Sequence, residues 1–369
     1  MKFSINREYI LSALQQIYLV SKYNTSIPII GNILITVLRN KSMFITGTDL
    51  ETEITKKIKL ISDVEPGNTT VSTKKILDIV KSFPKESSIN FFLKNEKLFI
   101  LCKKSKFVLC TLPYKNFPNL NNWEKKLKIR ISKNKLKKLI ESTYFSIANQ
   151  DIRQYLNGML LEIKKNNIRS VSTNGHRLSK SKIFIDKNIS DAYIFIIPRS
   201  GVFNLLRILN QESDFVELVI GEKHIRINIE KYILTTKLLE GEFPEYKAIF
   251  KKNSFNVNIL IVDCFMLKNT LKRVSVISDK SKCINLNLKK NLLIINIKNF
   301  NQELAEEYLE AEYLGKEMEI SCNSDYILDA LNTIESKRVK IFVTNSYSAI
   351  ILADEIYNYT SHIIMPMRL

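Results

Sequence analysis

The stretch Leu127-Lys128-Ile129-Arg130-Ile131-Ser132-Lys133-Asn134-Lys135-Leu136-Lys137-Lys138-Leu139-Ile140 changes its period halfway along. Ile129 and Ile131 alternate with basic residues, which is the two-residue period of a half-buried strand. Leu136, Leu139 and Ile140 then recur at helical spacing, and Ser132 stands where a helix cap belongs. The same design occurs 126 residues earlier: Phe3 and Ile5 alternate, Asn6 can cap, and Ile10, Ala13, Leu14 and Ile17 share a helix face. A third version runs through Ile259 and Ile261, with Asp263 as the cap, to Leu267, Leu271 and Val274. Similarity at a fixed period marks a chain built from repeated structural units.

A second helix keeps the period. Ser72 or Thr73 precedes Ile76, Leu77, Val80 and Phe83; Pro198 opens Val202, Leu205, Leu206 and Leu209; Asn323 or Ser324 precedes Ile327, Leu328, Leu331 and Ile334. Phe117-Pro118 and Phe243-Pro244 lie 126 apart, each after an alternating strand. Strand patterns fill the space between the helices. Ile33, Ile35 and Val37 turn at Arg39-Asn40 into Met43 and Ile45, and Met159, Leu161 and Ile163 turn at Lys165-Asn166-Asn167 into Ile168 and Val171. In the third unit Ile284, Leu286 and Leu288 are followed by Leu292, Ile294 and Ile297. The expected fold class is therefore α+β, three copies of a two-helix, many-stranded domain. The polar stretches Trp123–Lys126 and Lys251–Asn256 set the expected boundaries at 1–125, 126–252 and 253–369.

Composition bounds the chemistry. Hydrophobic residues make up 45% of the chain, with only 9 Gly and 8 Pro, a composition that supports sizeable cores and not a disordered tail. Five cysteines, none at C-x-x-C spacing, point to a reducing compartment and away from a disulfide frame or structural zinc. Asn6, Arg7, Glu8, Gln15 and Gln16 interrupt any apolar leader, and no run of some 20 apolar residues could span a membrane, so a cytoplasmic protein is expected. Phosphate-loop, dinucleotide, zinc-protease and nucleophile-elbow motifs are missing, and His176, His224 and His362 lack ligand spacing. No catalytic residue, metal or cofactor is assigned. Asp49 and Glu51 share one loop and suit a solvated turn.

The formal charge of +19 favours polyanionic partners, although abundant Lys, Asn and Ile are also what A+T-rich codons produce. Basic residues flank the apolar stripe of the predicted helices: Lys74, Lys75 and Lys81; Lys135, Lys137 and Lys138; Arg199 and Arg207; Lys268, Lys272 and Arg273. Arranged around an axis, such helices would offer phosphates a sequence-independent, salt-sensitive surface.

Seven short segments, in order, carry a family resemblance. They are Met1-Lys2-Phe3, Ile27-Pro28-Ile29-Ile30-Gly31-Asn32, Thr46-Gly47-Thr48-Asp49-Leu50-Glu51 and Phe117-Pro118-Asn119-Leu120; then Gln150-Asp151 through Tyr155-Leu156-Asn157-Gly158-Met159, Thr173 through Gly175-His176-Arg177-Leu178, and Met365-Pro366-Met367-Arg368-Leu369. Along essentially its whole length the chain resembles the beta subunit of bacterial DNA polymerase III, the DNA sliding clamp. The resemblance implies a non-catalytic processivity factor without cofactors. Two subunits would close head-to-tail into a ring around duplex DNA, tethering the polymerase III alpha subunit and admitting the clamp loader and other proteins with clamp-binding motifs.

It also implies sites. A pocket for short apolar peptides would use Leu156, Thr173, Gly175, His176, Arg177, Leu178, Pro244 and Ile249. Its other wall would be Asn323, Tyr326, Ile363, Ile364, Met365, Pro366, Met367 and Arg368. Gln150, Arg153, Tyr155, Lys138 and Arg199 are the candidates for DNA contact. For the dimer interface the resemblance points to Phe107 and Leu109 on an edge strand, Val276 and Ile277 across from them, and Glu303, Glu306 and Glu307 facing Lys74 or Lys75. The chain departs from the family at Lys22-Tyr23-Asn24, which lacks a common arginine. It departs again at Asn174, where aspartate is usual, and at Ser281-Lys282, where a rim aromatic is missing. Two other readings stand beside this one. A nuclease would need clustered carboxylates to hold metal ions, and a basic scaffold would bind DNA without encircling it.

Overall fold

A computed structural model describes residues 1–21, 27–120, 123–210, 213–252, 257–357 and 359–367. Seven α-helices lie among them: α1 (Arg7–Tyr18), α2 (Thr73–Ser82), α3 (Lys133–Glu141), α4 (Arg199–Leu209), α5 (Tyr246–Lys252), α6 (Cys264–Val274) and α7 (Ser324–Leu331). Three of the expected cap residues act as their chemistry suggests, whereas Ser72, at the cap of α2, makes no capping side-chain hydrogen bond. Side chains of Asn6, Asp263 and Asn323 accept hydrogen bonds from the backbone amides of Glu8, Met266 and Tyr326, satisfying donors that the first turn leaves open. The predicted faces are the buried ones: Ile10, Ala13, Leu14 and Ile17 in α1, Leu136, Leu139 and Ile140 in α3, Leu267, Leu271 and Val274 in α6.

Two local expectations are corrected. Pro198 does not open α4; it ends the strand Arg177–Pro198 opposite Gly158, and the helix begins at Arg199. A proline lacking its N–H is tolerated at a strand end as well as in a first helical turn. The turn expected at Lys165-Asn166-Asn167 is absent too. Gly158–Thr173 runs as one strand, and its register against Arg177–Pro198 shifts between Ile163 and Asn167. Lys165 there has φ +51°, so the left-handed residue is absorbed as a bulge that bends the ribbon.

The chain divides into two compact units. In the first, residues 1–134 and 200–238, a four-stranded sheet is ordered Lys2–Asn6, Ser88–Lys94, Lys97–Cys102, Ser105–Cys110. Its eight-stranded partner is ordered Gly67–Ser72, Asn32–Val37, Ser42–Thr48, Thr52–Lys59, Tyr232–Lys237, His224–Ile229, Phe215–Ile220, Leu127–Ser132. The sheet crosses from the first repeat to the second where Thr52–Lys56 pairs with Tyr232–Thr236. The core gathers the buried faces of α1 and α2 with Ile33, Ile35, Met43 and Ile45, and Phe3 stacks on Phe91 with ring centres 4.8 Å apart.

In the second unit, residues 135–199 and 239–369, a six-stranded sheet is ordered Gly158–Thr173, Arg177–Pro198, Thr360–Ile364, Ile350–Asp354, Arg338–Val343, Asn258–Asp263. It crosses from the second repeat to the third where Arg177–Ser181 pairs with Thr360–Ile364. A four-stranded sheet is ordered Leu304–Glu310, Leu292–Lys298, Cys283–Lys289, Met318–Asn323. These two sheets and α6 and α7 enclose a core of Leu267, Leu271, Leu286, Ile295, Ile327 and Leu352. All five cysteines are free thiols, and no helix among the described residues is long and apolar enough to cross a membrane.

Candidate functional site

The candidate peptide pocket lies wholly within the second unit and starts from a tight turn between its two longest strands. Gly175 has φ +87°, a conformation that a side chain would strain. Thr173 Oγ1 accepts from the Gly175 amide at 3.1 Å and donates to the Arg177 carbonyl at 2.6 Å. Asn174 Oδ1 accepts from the amides of His176 and Arg177, both at 3.0 Å. A neutral amide thus fills the acceptor role in which the family resemblance leads one to expect aspartate.

Arg177 fixes this turn to α7. Its guanidinium lies over the rings of Tyr326 (4.4 Å) and Phe145 (5.2 Å), donates to Asp329 at 2.6 Å, and also reaches the Phe145 carbonyl. Held by Asp329, the Phe145 carbonyl and two rings, Arg177 is a strut of the site. Tyr326 is positioned from below by the Asn323 cap and from above by the Asn174 amide, which donates to its hydroxyl at 3.4 Å.

The C-terminal strand completes the wall. Leu178 is paired with Ile363 and Arg177 with Ile364. Successive strand residues point to opposite faces, so Ile363 joins the apolar cluster of Leu160, Val171, Leu178, Ile196 and Tyr246, while Ile364 enters the main core. Beyond the strand the Met365 amide donates to the His176 carbonyl (2.9 Å) and the Met367 amide to the Ser321 carbonyl (2.8 Å). Met365 keeps 45% of its surface exposed and Ile249 39%, and His176 and Pro244 are exposed as well. Arg368 lies outside the described residues. Leu156, 1% exposed, is covered and supports the wall from behind.

Sequence reading missed part of this rim. Tyr155, Leu239, Phe243, Phe250 and Ile351 pack half-exposed on the same cluster. Phe243 belonged to the repeated Phe-Pro mark and could have been found from it. Also missed was the latch under α5: the Tyr246 hydroxyl donates to Glu162 at 2.9 Å, with Arg169 (2.8 Å) and Lys247 (3.4 Å) on the same carboxylate. Burial alone would raise the Glu162 pKa, but the Tyr246 hydroxyl and the two cations outweigh it and leave it lowered.

The DNA candidates separate. Gln150 (φ +58°) and Arg153 lie exposed on one loop with Ile152, 98% exposed. Arg153 grips Asp151 through two 3.0 Å bonds, and those bonds bring the Asp151 pKa down to about 2. Tyr155 turns instead to the pocket rim. Lys138 is paired with Glu335 at 2.6 Å, and Arg199 is committed to the carbonyls of Ile147 (2.8 Å) and Ala148 (3.4 Å). Among the described residues no group of three or more His, Cys, Asp or Glu side chains could hold a metal ion.

The interface candidates lie on two sheet edges, on the turn after α6 and on α2. Ser105–Cys110 is the last strand of its sheet, with Phe107 and Leu109 half-buried on one face and Phe107 edge-on to Phe83 at 5.7 Å. Leu304–Glu310 is the edge of the corresponding sheet in the second unit. The acids on and beside it have partners already: the Glu307 carboxylate is bound by Arg273, that of Glu306 by the Tyr308 hydroxyl, and that of Glu303, just before the strand, by the Asn299 side-chain amide. Val276 is 81% exposed and Ile277 half-buried; Lys74 and Lys75 are exposed in the first turn of α2.

Comparison with known proteins decides the family. Models of the DNA polymerase III beta subunit match its N-terminal domain to residues 1–121, its central domain to 130–245 and its C-terminal domain to 249–368. The chain belongs to the DNA polymerase III beta subunit family. It is 36% identical to the beta sliding clamp of Escherichia coli K12 over 370 residues, covering all of both chains, and 37% identical to that of Buchnera aphidicola over 369. The Pseudomonas aeruginosa sliding clamp, solved bound to griselimycin, superposes with a TM-score of 0.95 at 34% identity over the full length of both chains. The Caulobacter crescentus beta sliding clamp gives 0.94 at 26%, covering 100% of this chain and 99% of that one. The fold is thus the α+β clamp fold in three repeated units, and the function is that of a DNA sliding clamp.

Proposed function

We propose that this clamp works as a head-to-tail ring of two copies, each of three domains at 1–125, 126–252 and 253–369, closed around duplex DNA. One observation carries the reading. At each repeat junction inside the chain, a strand of one repeat (Thr52–Lys59, then Arg177–Pro198) pairs with the last strand of the next (Tyr232–Lys237, then Thr360–Ile364). Moving each by one repeat leaves two members of this series unused, Leu304–Glu310 and Ser105–Cys110, and both are sheet edges. Their pairing between copies follows the internal rule and removes two open edges at once. Carrying the Ile233–Thr55 pair back and forward by whole repeats sets Phe107 opposite Glu307 of the second copy.

Retention on DNA then rests on topology, and contacts by Gln150 and Arg153 are accessory. The half-exposed rim around Met365, Met367, Ile249 and Pro244 receives apolar peptides of the polymerase III alpha subunit, the clamp loader and other partners in the cytoplasm. It is an adaptable apolar cleft with a few fixed polar groups. The chain itself performs no reaction. The test loads the protein on circular DNA and then linearises the circle, with sedimentation mass measured in parallel. A dimer that is retained on circles and lost from linear DNA is expected; retention after linearisation would make it a direct DNA binder.

A further inference from the structure

Within the first unit a cavity of about 830 Å³ opens between the start of α1, the end of the strand Thr52–Lys59 and the turn at Glu230-Lys231. One part of its wall is apolar: Ile58, Ile61 and Ile229, with the rings of Tyr9 and Tyr232. The other part is basic, from Lys56, Lys57, Lys59 and Lys231. Lys56 lies deepest, at 8% exposure; its Nζ donates to Ser12 Oγ at 2.6 Å and sits 4.9 Å from the centre of the Tyr232 ring. No carboxylate pairs with it among the described residues, and the one acid of the lining, Glu230, is turned to Lys231 at 3.5 Å. Burial, and then the charge of Lys231, bring Lys56 down to about 8. A covered ammonium with no counter-ion is costly, and an entering anion would relieve that cost.

The second unit holds a smaller counterpart beside its own repeat junction. That cavity of about 300 Å³ is also lined by lysines and aromatic rings, among them Lys138, Lys182, Phe184 and Tyr359. There the chain supplies its own acid, Glu335, ion-paired with Lys138 at 2.6 Å. In the first unit no acid among the described residues does the same for Lys56.

We propose that the larger cavity binds a short peptide segment carrying an acidic residue between apolar ones, its carboxylate on Lys56 and Lys231 and its apolar side chains against Ile58, Ile61 and Tyr9. The volume falls within the usual range for a ligand site, roughly 300–1,000 Å³. Ser62 and Ser88 are already bonded to Ser4, and the exposed Asn210 on the lining offers its amide to a peptide main chain, which a hydrocarbon tail would leave unused. A phosphate backbone would answer the lysines but leave the isoleucines unmatched. The site is separate from the candidate pocket around Met365.

The experiment titrates the full-length protein with a fluorescent blocked pentapeptide that has one glutamate between leucine and phenylalanine. Its glutamine counterpart and decanoate serve as the other probes. Binding of the glutamate peptide about tenfold tighter than the glutamine peptide is expected. That preference should vanish in Lys56→Met, fall in the exposed Lys231→Gln, and persist in Lys104→Met and in a chain lacking residues 365–369. Lys231→Gln keeps the test decisive if Lys56→Met fails to fold. Equal binding of the two peptides, or a preference that survives both substitutions, overturns the site. Binding of decanoate with no peptide binding overturns the assignment of the ligand. Retention of Lys56→Met on circular DNA is expected to be normal, so failure here is distinguishable from failure of the ring.

Discussion

Removing Met365–Leu369 separates two roles for the C-terminus. If the tail is a wall of the peptide pocket, its loss destroys binding and leaves the fold; if it is core, its loss unfolds the second unit. The structure fixes the stability side. Two backbone hydrogen bonds disappear, Met365 to His176 and Met367 to Ser321, each worth about 1 kcal/mol net. Met365 and Met367 are only part-buried, so their lost burial adds roughly another 1–2 kcal/mol together. The strand Thr360–Ile364 keeps its pairing to Arg177–Ser181, and Ile363 and Ile364 stay buried. The total, about 3–4 kcal/mol, lowers the melting temperature by roughly 10 °C and does not abolish folding. On the binding side, a truncated hot-spot wall costs about 2 kcal/mol or more, at least a thirtyfold loss of affinity. Fluorescence anisotropy with a labelled polymerase peptide, calorimetry and sedimentation read the three quantities. Full peptide affinity in the truncated dimer would refute the pocket assignment, whatever the melting temperature.

Phe107→Ala combined with Leu109→Ala should give monomers by sedimentation, since each truncation removes about 2 kcal/mol from an interface that occurs twice in a ring; an unchanged dimer in dilute solution would remove these residues from the contact. Arg153→Gln with Lys138→Gln should flatten the salt dependence of direct DNA adhesion by up to about one unit of slope per lost phosphate contact, with retention on circles intact; because both cations are exposed and already paired, melting should hardly change. His362 is fully buried between Ser179 and Thr333, each 2.8 Å from a ring nitrogen, and burial followed by the charge of Arg177 brings it down to about 3. Its folded pKa is therefore below its unfolded one, so its contribution is complete above pH 6.5, the ordinary histidine value, and is lost as pH falls from there toward 3. His362→Gln should show a shallower fall of melting temperature between pH 7 and 5 than the unmodified chain, and equal slopes in the two would count against this account.

What could be read in advance was what local chemistry encodes. Caps such as Asn6 and Asp263, and the faces of α1, α3 and α6, need only neighbours within a turn or two. The bulge at Lys165 and the commitment of Arg199 to backbone carbonyls depend on strands and loops distant in sequence, so the turn and the DNA contact inferred from local pattern missed them. Glu307 looked free for a second subunit because its partner Arg273 lies 34 residues away and meets it only in the folded unit; the partners of Glu303 and Glu306, Asn299 and Tyr308, are sequence neighbours and could have been read locally.

The candidate sites share a physical origin. A repeat satisfies its sheet edges with the next repeat, and this chain does so at both of its internal junctions. Two strands of the series stay at sheet edges, Ser105–Cys110 and Leu304–Glu310, and the residues after Ile364 are only partly covered. In the proposed ring the two edges would answer one another, so that a second identical copy would serve as partner for both. The tail has no such complement within the chain. Met365, Pro366 and Met367 are held by two main-chain bonds, with side chains left partly in solvent, as a site for exchanging partners requires. A wall packed as tightly as Ile363 and Ile364 would be stable and closed; one anchored only by its backbone stays open to ligands of varied shape.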